Sequence, residues 1–297
     1  MKILLTGVTG QVGGALVEPL SQIGQVICAD RATVDLASPD SIRQTMRRIR
    51  PALVINPAAY TAVDRAESET ELALQINGIA PGVLAEECAQ LGARLVHFST
   101  DYVFDGSKPT PYVESDPPAP SSAYGRSKLA GEQAITGSSC RHLIFRTSWV
   151  YSLRGANFLR TMFRLAGERE ELRVVDDQRG APTTAQAIAL ACTALLPAWL
   201  ADPRTDRDGI YHLSCGGSTT WCGFAGRIVA HLDQIAKALD QPCPATRPRV
   251  TPTLTEDYPT PAKRPHNSVL DNSKLLRSFE VNLANWEEAF SQLLTTH

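Results

Sequence analysis

The sequence predicts an α/β protein with a doubly wound parallel sheet and a smaller C-terminal α/β domain. In the first half of the chain, short apolar segments alternate with segments of helical periodicity, and a glycine-rich turn follows the first apolar segment. Strands that are apolar along their whole length are typical of parallel sheets covered by helices on both faces. Right-handed crossovers between such strands produce a doubly wound, Rossmann-type sheet.

We predict the strands of this half in KILLTG, QVICAD, PALVINPAAY, ARLVHFST and RHLIFRTSWV. Helices are predicted between them in QVGGALVEPLSQIG, SPDSIRQTMRRIR, ETELALQINGIAPGVLAEECAQLG and SSAYGRSKLAGEQAI. Ser38 is placed to cap the second of these helices, and Pro81 lies inside the third.

The alternation loosens after Tyr151, so we divide the chain into domains of residues 1–150 and 151–297, with segments at about 176–200 returning to the first domain. Further helices are expected around 156–168, 183–200 and 221–240, and GIYHLSCGG has the character of a strand. The proline-rich segment 242–267 cannot hold a long helix. Its length predicts a functional loop over a site.

Composition excludes several classes of protein. With 43% hydrophobic and 20% charged residues the chain is globular, and a net charge of -2 gives no footprint for nucleic acid or an anionic membrane. No apolar stretch is long enough to span a bilayer. The seven scattered cysteines contain no C-x-x-C pair, which indicates reduced thiols, a cytoplasmic location, and neither a zinc site nor a disulfide framework.

The glycine-rich turn has the context of a dinucleotide-binding loop. Gly7, Gly10 and Gly13 follow the first strand and open the first helix, together with Gln11 and Val12. Glycines let the backbone approach a pyrophosphate, which the helix N-terminus then holds. We therefore assign these five residues to cofactor binding and residues 1–150 to an NAD(P)-binding domain.

Asp30 supports this assignment because it ends the second strand, 23 residues after Gly7. A carboxylate there binds the adenosine ribose hydroxyls; the alternative is a plain turn residue. Asp30 favours NADH, whereas the adjacent Arg31 could bind the 2'-phosphate of NADPH, so both cofactors stay open.

Tyr124 and Lys128 lie four residues apart on a predicted helix, so their side chains project from one face. A surface pair is the structural alternative. Tyr-x-x-x-Lys at this place is, however, the catalytic pair of the extended short-chain dehydrogenase/reductases, which the chain resembles. It is similar in particular to the dTDP-4-dehydrorhamnose reductases from residue 1 to about 290, through GVTGQVG, NPAAYTAVDRAESE, STDYVFDG, YGRSKLAGE, HLIFRTSWVY, DDQRGAPT, YHLSCGGSTTW and YPTPAKRPHNSVLD.

The resemblance implies reduction of the C4 ketone of dTDP-4-dehydro-L-rhamnose by NADH or NADPH, the last step of dTDP-L-rhamnose biosynthesis. Tyr124 would donate the proton, and Lys128 would lower the pKa of that phenol and hold the nicotinamide ribose. Thr100 would bind the keto oxygen, with Ser99 as the alternative hydroxyl. Asp101 and Tyr102 would contact the sugar and the thymine.

Further roles follow from the resemblance, each beside a structural alternative. Asp35 and Leu36 resemble the residues at the adenine edge, and the cofactor would pass close to the segment after the third strand, namely Ala58, Ala59, Tyr60 and Thr61. Plain packing is the other interpretation of the two alanines. Trp149 would stack on the sugar unless it is a core residue, and Arg264 would bind the pyrophosphate unless it is an exposed loop residue.

The chain departs from the family where some members hold a bridging magnesium ion with glutamates. Ala15 and Gln186 occupy the matching positions and offer no carboxylate. We therefore expect no structural metal and a monomer. Pro57 is a second departure, and its effect is not predicted. A ketoreductase of other stereochemistry, an epimerase and a non-catalytic regulatory homologue are the competing functions.

Overall fold

The computed structural model describes residues 1–295. Its strands are β1 (Lys2–Thr6), β2 (Gln25–Ala29), β3 (Leu53–Asn56), β4 (Arg94–Thr100), β5 (Arg141–Thr147), β6 (Val150–Tyr151), β7 (Glu171–Val175), β8 (Arg179–Gly180), β9 (Thr183–Thr184), β10 (Gly209–His212), β11 (Thr219–Thr220) and β12 (Arg249–Thr253). Its α-helices are α1 (Gln11–Ser21), α2 (Pro39–Ile49), α3 (Thr70–Leu74), α4 (Ala80–Leu91), α5 (Ala123–Thr136), α6 (Phe158–Ala166), α7 (Ala185–Ala201), α8 (Trp221–Ala230), α9 (Leu232–Leu239), α10 (Ser273–Phe279) and α11 (Trp286–Thr295).

The main sheet confirms the predicted fold class. Its strands run in the order β10-β5-β4-β3-β1-β2, and every neighbouring pair is parallel. Strands β1 to β5 are those predicted from the alternating pattern. The edge strand β10 comes from the second half of the chain, so the sheet draws on both parts of the sequence.

The strand order reverses between β1 and β3. From β1 the chain moves outward to β2 and then returns to β3 on the other side of β1. In open α/β sheets, ligands bind in the crevice at such a switch point, beyond the carboxyl ends of the strands. The glycine turn follows β1 at this edge.

Alternate residues of each central strand face opposite sides of the sheet. Ile3, Leu5 and Ile55 pack in one apolar core, which α1 and α7 cover, whereas Leu4 and Val54 pack in a second core under α2, α4 and α5. Both faces are therefore buried, as continuously apolar strands predict.

The predicted third helix is interrupted. α3 passes into a π-helical turn, Gln75–Ile79, before α4 begins at Ala80. Pro81 lies directly after this turn, inside the continuous helical stretch, so its missing N–H removes one hydrogen bond next to the π-helical turn.

The second half of the chain corrects one expectation. The segment 242–267 is not a continuous irregular loop, because β12 pairs in parallel with β7. Pro252 is tolerated there since the sheet has only two strands. α7 packs against α1 of the first half of the chain. The division into two domains near residue 150 stays a prediction.

Across residues 1–295, each helix is too short or too polar to cross a membrane.

A buried ion pair joins α5 to β5. The guanidinium of Arg146 donates two hydrogen bonds, of 2.9 and 2.6 Å, to the carboxylate of Glu132, and both side chains are 2% exposed. Arg146 also lies over the ring of Phe104, 5.0 Å from its centroid. Removing one partner of such a pair leaves the other charge uncompensated in the interior.

We expect Glu132→Gln to lower the free energy of unfolding by about 3–5 kcal/mol, because Arg146 keeps its charge without a counterion. Chemical denaturation measures this loss. The matched control is Glu171→Gln, which breaks an exposed pair with Arg249 and is expected to change stability by less than about 1 kcal/mol. Equal effects of the two substitutions would contradict the assignment of a structural role to the buried pair.

Candidate active site

A cleft of about 770 Å³ lies at the carboxyl ends of the strands of the main sheet. It brings together most of the residues singled out from the sequence: Gly7, Gly10, Gln11, Val12, Gly13, Asp30, Asp35, Leu36, Ala58, Ala59, Thr61, Thr100, Asp101, Tyr102, Tyr124, Lys128 and Trp149. Tyr60 and Arg264 are not among its lining residues.

The glycine turn is closely packed. Gly7 has a φ of +60°, and a Cβ there would lie 2.9 Å from the Cα of Ala58. At Gly13 a Cβ would lie 2.1 Å from the carbonyl oxygen of Gly7. Neither position has room for a side chain, so the backbone forms an open cradle between β1 and β3.

The cradle opens onto the N-terminus of α1. Gly10 is the N-cap residue and gives no side-chain hydrogen bond, and the first turn carries no acidic residue. By contrast, Ser38, Ser122 and Thr184 cap α2, α5 and α7. Uncapped N–H groups and the helix dipole suit an anion, so this end fits a pyrophosphate.

Asp30 lies at the end of β2, where Thr33 donates to its carboxylate from both its N–H and its hydroxyl. These bonds lower the pKa of Asp30, chiefly through the Thr33 hydroxyl. Arg31 has an 83% exposed side chain, 3.9 Å from the carboxylate of Asp35. An ionised carboxylate and an exposed guanidinium therefore share this corner of the cleft.

Tyr60 turns away from the cleft. Its hydroxyl donates to Glu69 at 2.6 Å, and its backbone exchanges two hydrogen bonds with the side chain of Asn77. The sequence prediction assigned Tyr60 by its place after β3. The direction of its side chain is set by Glu69, which no local pattern reveals.

α5 carries Tyr124 and Lys128 and lies unusually close to its neighbours. A Cβ on Gly125 would lie 2.2 Å from the carbonyl oxygen of Tyr102, and a Cβ on Gly131 would lie 2.2 Å from that of Asn77. These two glycines therefore let the helix approach the backbone of both neighbouring segments. The side chains of Tyr124 and Lys128 reach the end of β4 as a result.

Thr100 ends β4 beside them. Its hydroxyl donates to Asp101 at 2.9 Å and accepts from the N–H of Tyr102 at 3.2 Å. A side-chain hydrogen bond also links Thr100 with Tyr124. The hydroxyl of Ser99 is buried in the cleft wall and has no hydrogen-bond partner among residues 1–295.

The expected lowering of the Tyr124 pKa is not seen in this structure. Burial raises the pKa of that phenol, against a hydrogen bond with Thr100 that lowers it. Burial also lowers the pKa of Lys128 to about 8. The lysine nitrogen donates to the carbonyl oxygen of Phe98 at 2.6 Å and lies 3.2 Å from His97, so both of these partners belong to β4.

Asp101 is buried beneath the same part of the cleft. Burial raises the pKa of its carboxyl to about 6, although Thr100, Ser268 and Ser148 form hydrogen bonds that lower it. A carboxyl in this state changes charge near neutral pH and can donate or accept a hydrogen bond.

Trp149 lies on the cleft wall rather than in the core. Its φ is +48°, and its ring stacks on Trp221 with centroids 3.5 Å apart and planes within 6°. A Cβ on Gly180 would lie 2.4 Å from the indole. Sequence reasoning missed Trp221 and Asn157 as lining residues; Trp221 was inside a quoted motif, and only its stacking on Trp149 reveals its place.

Arg264 forms a two-pronged ion pair with Asp64, at 3.1 and 2.8 Å. Asp64 also accepts from the N–H of Ala262, and the pairing lowers the pKa of Asp64. The segment after β3 is thereby tied to the C-terminal part of the chain.

Comparison with known proteins agrees with this geometry. The family model described as "RmlD substrate binding domain" matches residues 1–297. A dTDP-4-dehydrorhamnose reductase of Burkholderia thailandensis is 45% identical, with 97% of this chain and 96% of the relative covered. The Escherichia coli K12 protein of the same name is 42% identical, with 99% of this chain and 97% of the relative covered.

Solved structures give the same result. A dTDP-4-dehydrorhamnose reductase from Bacillus anthracis, in complex with NADP, matches with a TM-score of 0.87 and 35% identity over 100% of this chain and 99% of that one. A UDP-glucose 4-epimerase from Thermus thermophilus, in complex with NAD, shares the fold at a TM-score of 0.73 and 21% identity over 99% of each chain. The chain therefore belongs to the RmlD substrate binding domain family, and the two relatives described above are named dTDP-4-dehydrorhamnose reductases.

Proposed function

We propose that the protein is a dTDP-4-dehydrorhamnose reductase, which uses NADPH or NADH to reduce the C4 ketone of dTDP-4-dehydro-L-rhamnose to the alcohol of dTDP-L-rhamnose. One observation carries the proposal: Thr100, Tyr124 and Lys128 line the same cleft as the glycine cradle. The proposed proton donor and the proposed dinucleotide site thus lie in one cleft. Relatives that are 42–45% identical along nearly the whole chain carry this name.

The cleft fits a nicotinamide dinucleotide. The cradle at Gly7 and Gly13 and the uncapped N-terminus of α1 would hold the pyrophosphate, and Asp30 would accept from the ribose hydroxyls. Asp35, Leu36 and the segment at Ala58 would line the rest of the cofactor. When bound, the reduced nicotinamide supplies a hydride to the ketone carbon.

Tyr124 completes the reduction by donating its proton to the ketone oxygen. The raised pKa of this phenol keeps it protonated before the reaction, as a proton donor requires. Thr100 hydrogen-bonds to the same oxygen while negative charge develops there. The ammonium of Lys128 stabilises the phenolate that remains and holds the nicotinamide ribose.

The substrate contacts are assigned in the same way. Asp101 and Tyr102 contact the sugar and the thymine, and Trp149 stacks on a sugar face. Arg264 binds the pyrophosphate of dTDP, which requires it to exchange Asp64 for a phosphate oxygen.

We further propose a cytoplasmic monomer. All seven cysteines are free thiols. α1 and α7 carry Ala15 and Gln186 where a metal-bridged dimer of this family would need carboxylates.

Tyr124→Phe removes the proton donor and keeps the ring. We expect kcat to fall about 10²–10⁴-fold, with cofactor binding retained. The loss of reduced nicotinamide absorbance with enzymatically prepared substrate measures the rate, and protein fluorescence measures binding. The control is Tyr211→Phe, which removes a tyrosine hydroxyl on β10 that donates to the Arg207 carbonyl, outside the cleft.

The sugar configuration of the product distinguishes the rhamnose from the talose epimer. If the wild-type protein binds nucleotide but oxidises neither cofactor with this substrate, the reductase function is wrong and a regulatory role takes its place.

Arg31→Ala tests cofactor choice. Arg31 is exposed at the rim of the cleft, next to the proposed ribose site of Asp30, where a 2'-phosphate would lie. We expect KM for NADPH to rise about tenfold, the scale of one lost hydrogen bond to a charged group, with KM for NADH unchanged. The control Arg48→Ala removes an exposed arginine of α2. An equal rise for both cofactors would refute the assignment.

The activity should also decline at high pH. Lys128 has a pKa near 8, below its ordinary value, because it is buried. Its ammonium form is therefore complete below that pH and is lost as the pH rises through about 8. We expect log kcat/KM to fall above this pH. A profile that stays flat to about pH 10, near the ordinary pKa of lysine, would show that the activity does not depend on an ammonium with a pKa near 8.

A further inference from the structure

A row of buried polar side chains runs behind the cleft and ends at Lys128. The Thr6 hydroxyl lies 2.6 Å from Asn56 Oδ1, Asn56 Nδ2 lies 3.1 Å from His97 Nδ1, and His97 Nε2 lies 3.2 Å from Lys128 Nζ. None of the four residues is more than 1% exposed. They come from the adjacent strands β1, β3 and β4 and from α5, on the face that α4 and α5 cover.

His97 is neutral in this row. Burial lowers the pKa of its imidazole well below the ordinary value, and the charge of Lys128 lowers it further. A neutral imidazole carries one proton, so one ring nitrogen donates and the other accepts. The nitrogen that faces Asn56 therefore decides what the other nitrogen offers to Lys128.

Two arrangements satisfy every member of the row. In the first, the NH2 group of Asn56 donates to Nδ1, so the ring proton is on Nε2. The Nε2–H group then donates to Lys128, which is in its neutral amine form. In the second, the amide is turned by 180°, which does not change its shape. Its oxygen then accepts from Nδ1–H, and Nε2 accepts from the Lys128 ammonium. The Thr6 hydroxyl fits both, because it can donate or accept.

Resting on the proposed function, in which Lys128 acts as an ammonium, we propose that His97 is a positioning residue for Lys128. Together with Asn56, it gives the lysine a matched hydrogen-bond partner in each charge state. The carbonyl of Phe98 accepts from Nζ in both states, so the nitrogen keeps its place while the imidazole changes tautomer.

The other charged and polar groups around Lys128 do not take the role proposed for His97. On α5, Glu132 raises the pKa of the lysine, but its carboxylate is already bound to Arg146 of β5. Tyr124 is neutral before the reaction, and Asn77 of the π-helical turn is neutral and bonds to Ser127. Apart from the Phe98 carbonyl, His97 is the hydrogen-bond partner that the structure gives Nζ within residues 1–295.

Three substitutions test the proposal through the high-pH limb of log kcat/KM. His97→Leu removes the acceptor, and we expect the limb to move about one pH unit lower, as when a charged group loses a hydrogen bond. His97→Gln restores an amide oxygen near Nε2, and the limb should return to within a few tenths of a unit of the wild-type position. Asn56→Asp holds the ring proton on Nδ1, and the limb should move higher.

The high-pH limb is expected to move in opposite directions in His97→Leu and Asn56→Asp. A merely structural role of His97 would instead lower the activity at every pH without moving the limb. A folded His97→Leu protein with an unmoved limb overturns the proposal, and so does a shift of both His97→Leu and Asn56→Asp in one direction. Thermal unfolding verifies that each variant is folded.

A measurement on the wild-type protein covers the case in which the variants do not fold. In ¹⁵N-histidine NMR spectra, the His97 proton should be on Nδ1 below the Lys128 transition and on Nε2 above it. A single tautomer across the transition overturns the proposal. This readout needs no turnover, so it stays valid even if the wild-type protein fails to reduce the proposed substrate, which would refute only the reductase function.

Discussion

The close contact of α5 with its two neighbours is the constraint on which the site depends. Gly125 and Gly131 leave no room for a side chain between this helix and the carbonyl groups of Tyr102 and Asn77. Asn77 adds a side-chain hydrogen bond to Ser127, whose hydroxyl donates to the carbonyl of Tyr124. The π-helical turn at Gln75–Ile79 carries Asn77, so an irregular piece of helix fixes the position of the proposed proton donor.

The same contact explains the electrostatics of the site. A helix packed this closely on its neighbours places Tyr124 and Lys128 against the protein interior, and desolvation is the largest cause of both pKa shifts. A buried lysine needs partners with good geometry. The strands supply them through the Phe98 carbonyl and His97, so packing and proton chemistry are set by one arrangement.

The fold and the closely packed glycine turn could be predicted from sequence because they depend on local patterns. Apolar periodicity gave the five strands, and the glycine spacing with Asp30 placed the cradle and the edge of β2. The direction of the Tyr60 side chain could not be predicted, because its hydroxyl is hydrogen-bonded to Glu69. The stacking of Trp221 on Trp149 could not be predicted either, because the two residues are far apart in the sequence. The predicted lowering of the Tyr124 pKa was wrong. The spacing of two residues along a helix shows neither how deeply they are buried nor where the Lys128 nitrogen points.

The proposed substrate side of the cleft is assembled from distant parts of the chain. Trp221 of α8 stacks on Trp149 after β5, and Arg264 holds Asp64 after β3. The Arg264 pair is partly exposed, so it contributes little stability by itself. Breaking it to bind a diphosphate therefore requires little energy, whereas a bidentate contact of a guanidinium with phosphate is strong. An ion pair of this kind keeps the arginine ordered near the cleft without competing strongly with the proposed substrate.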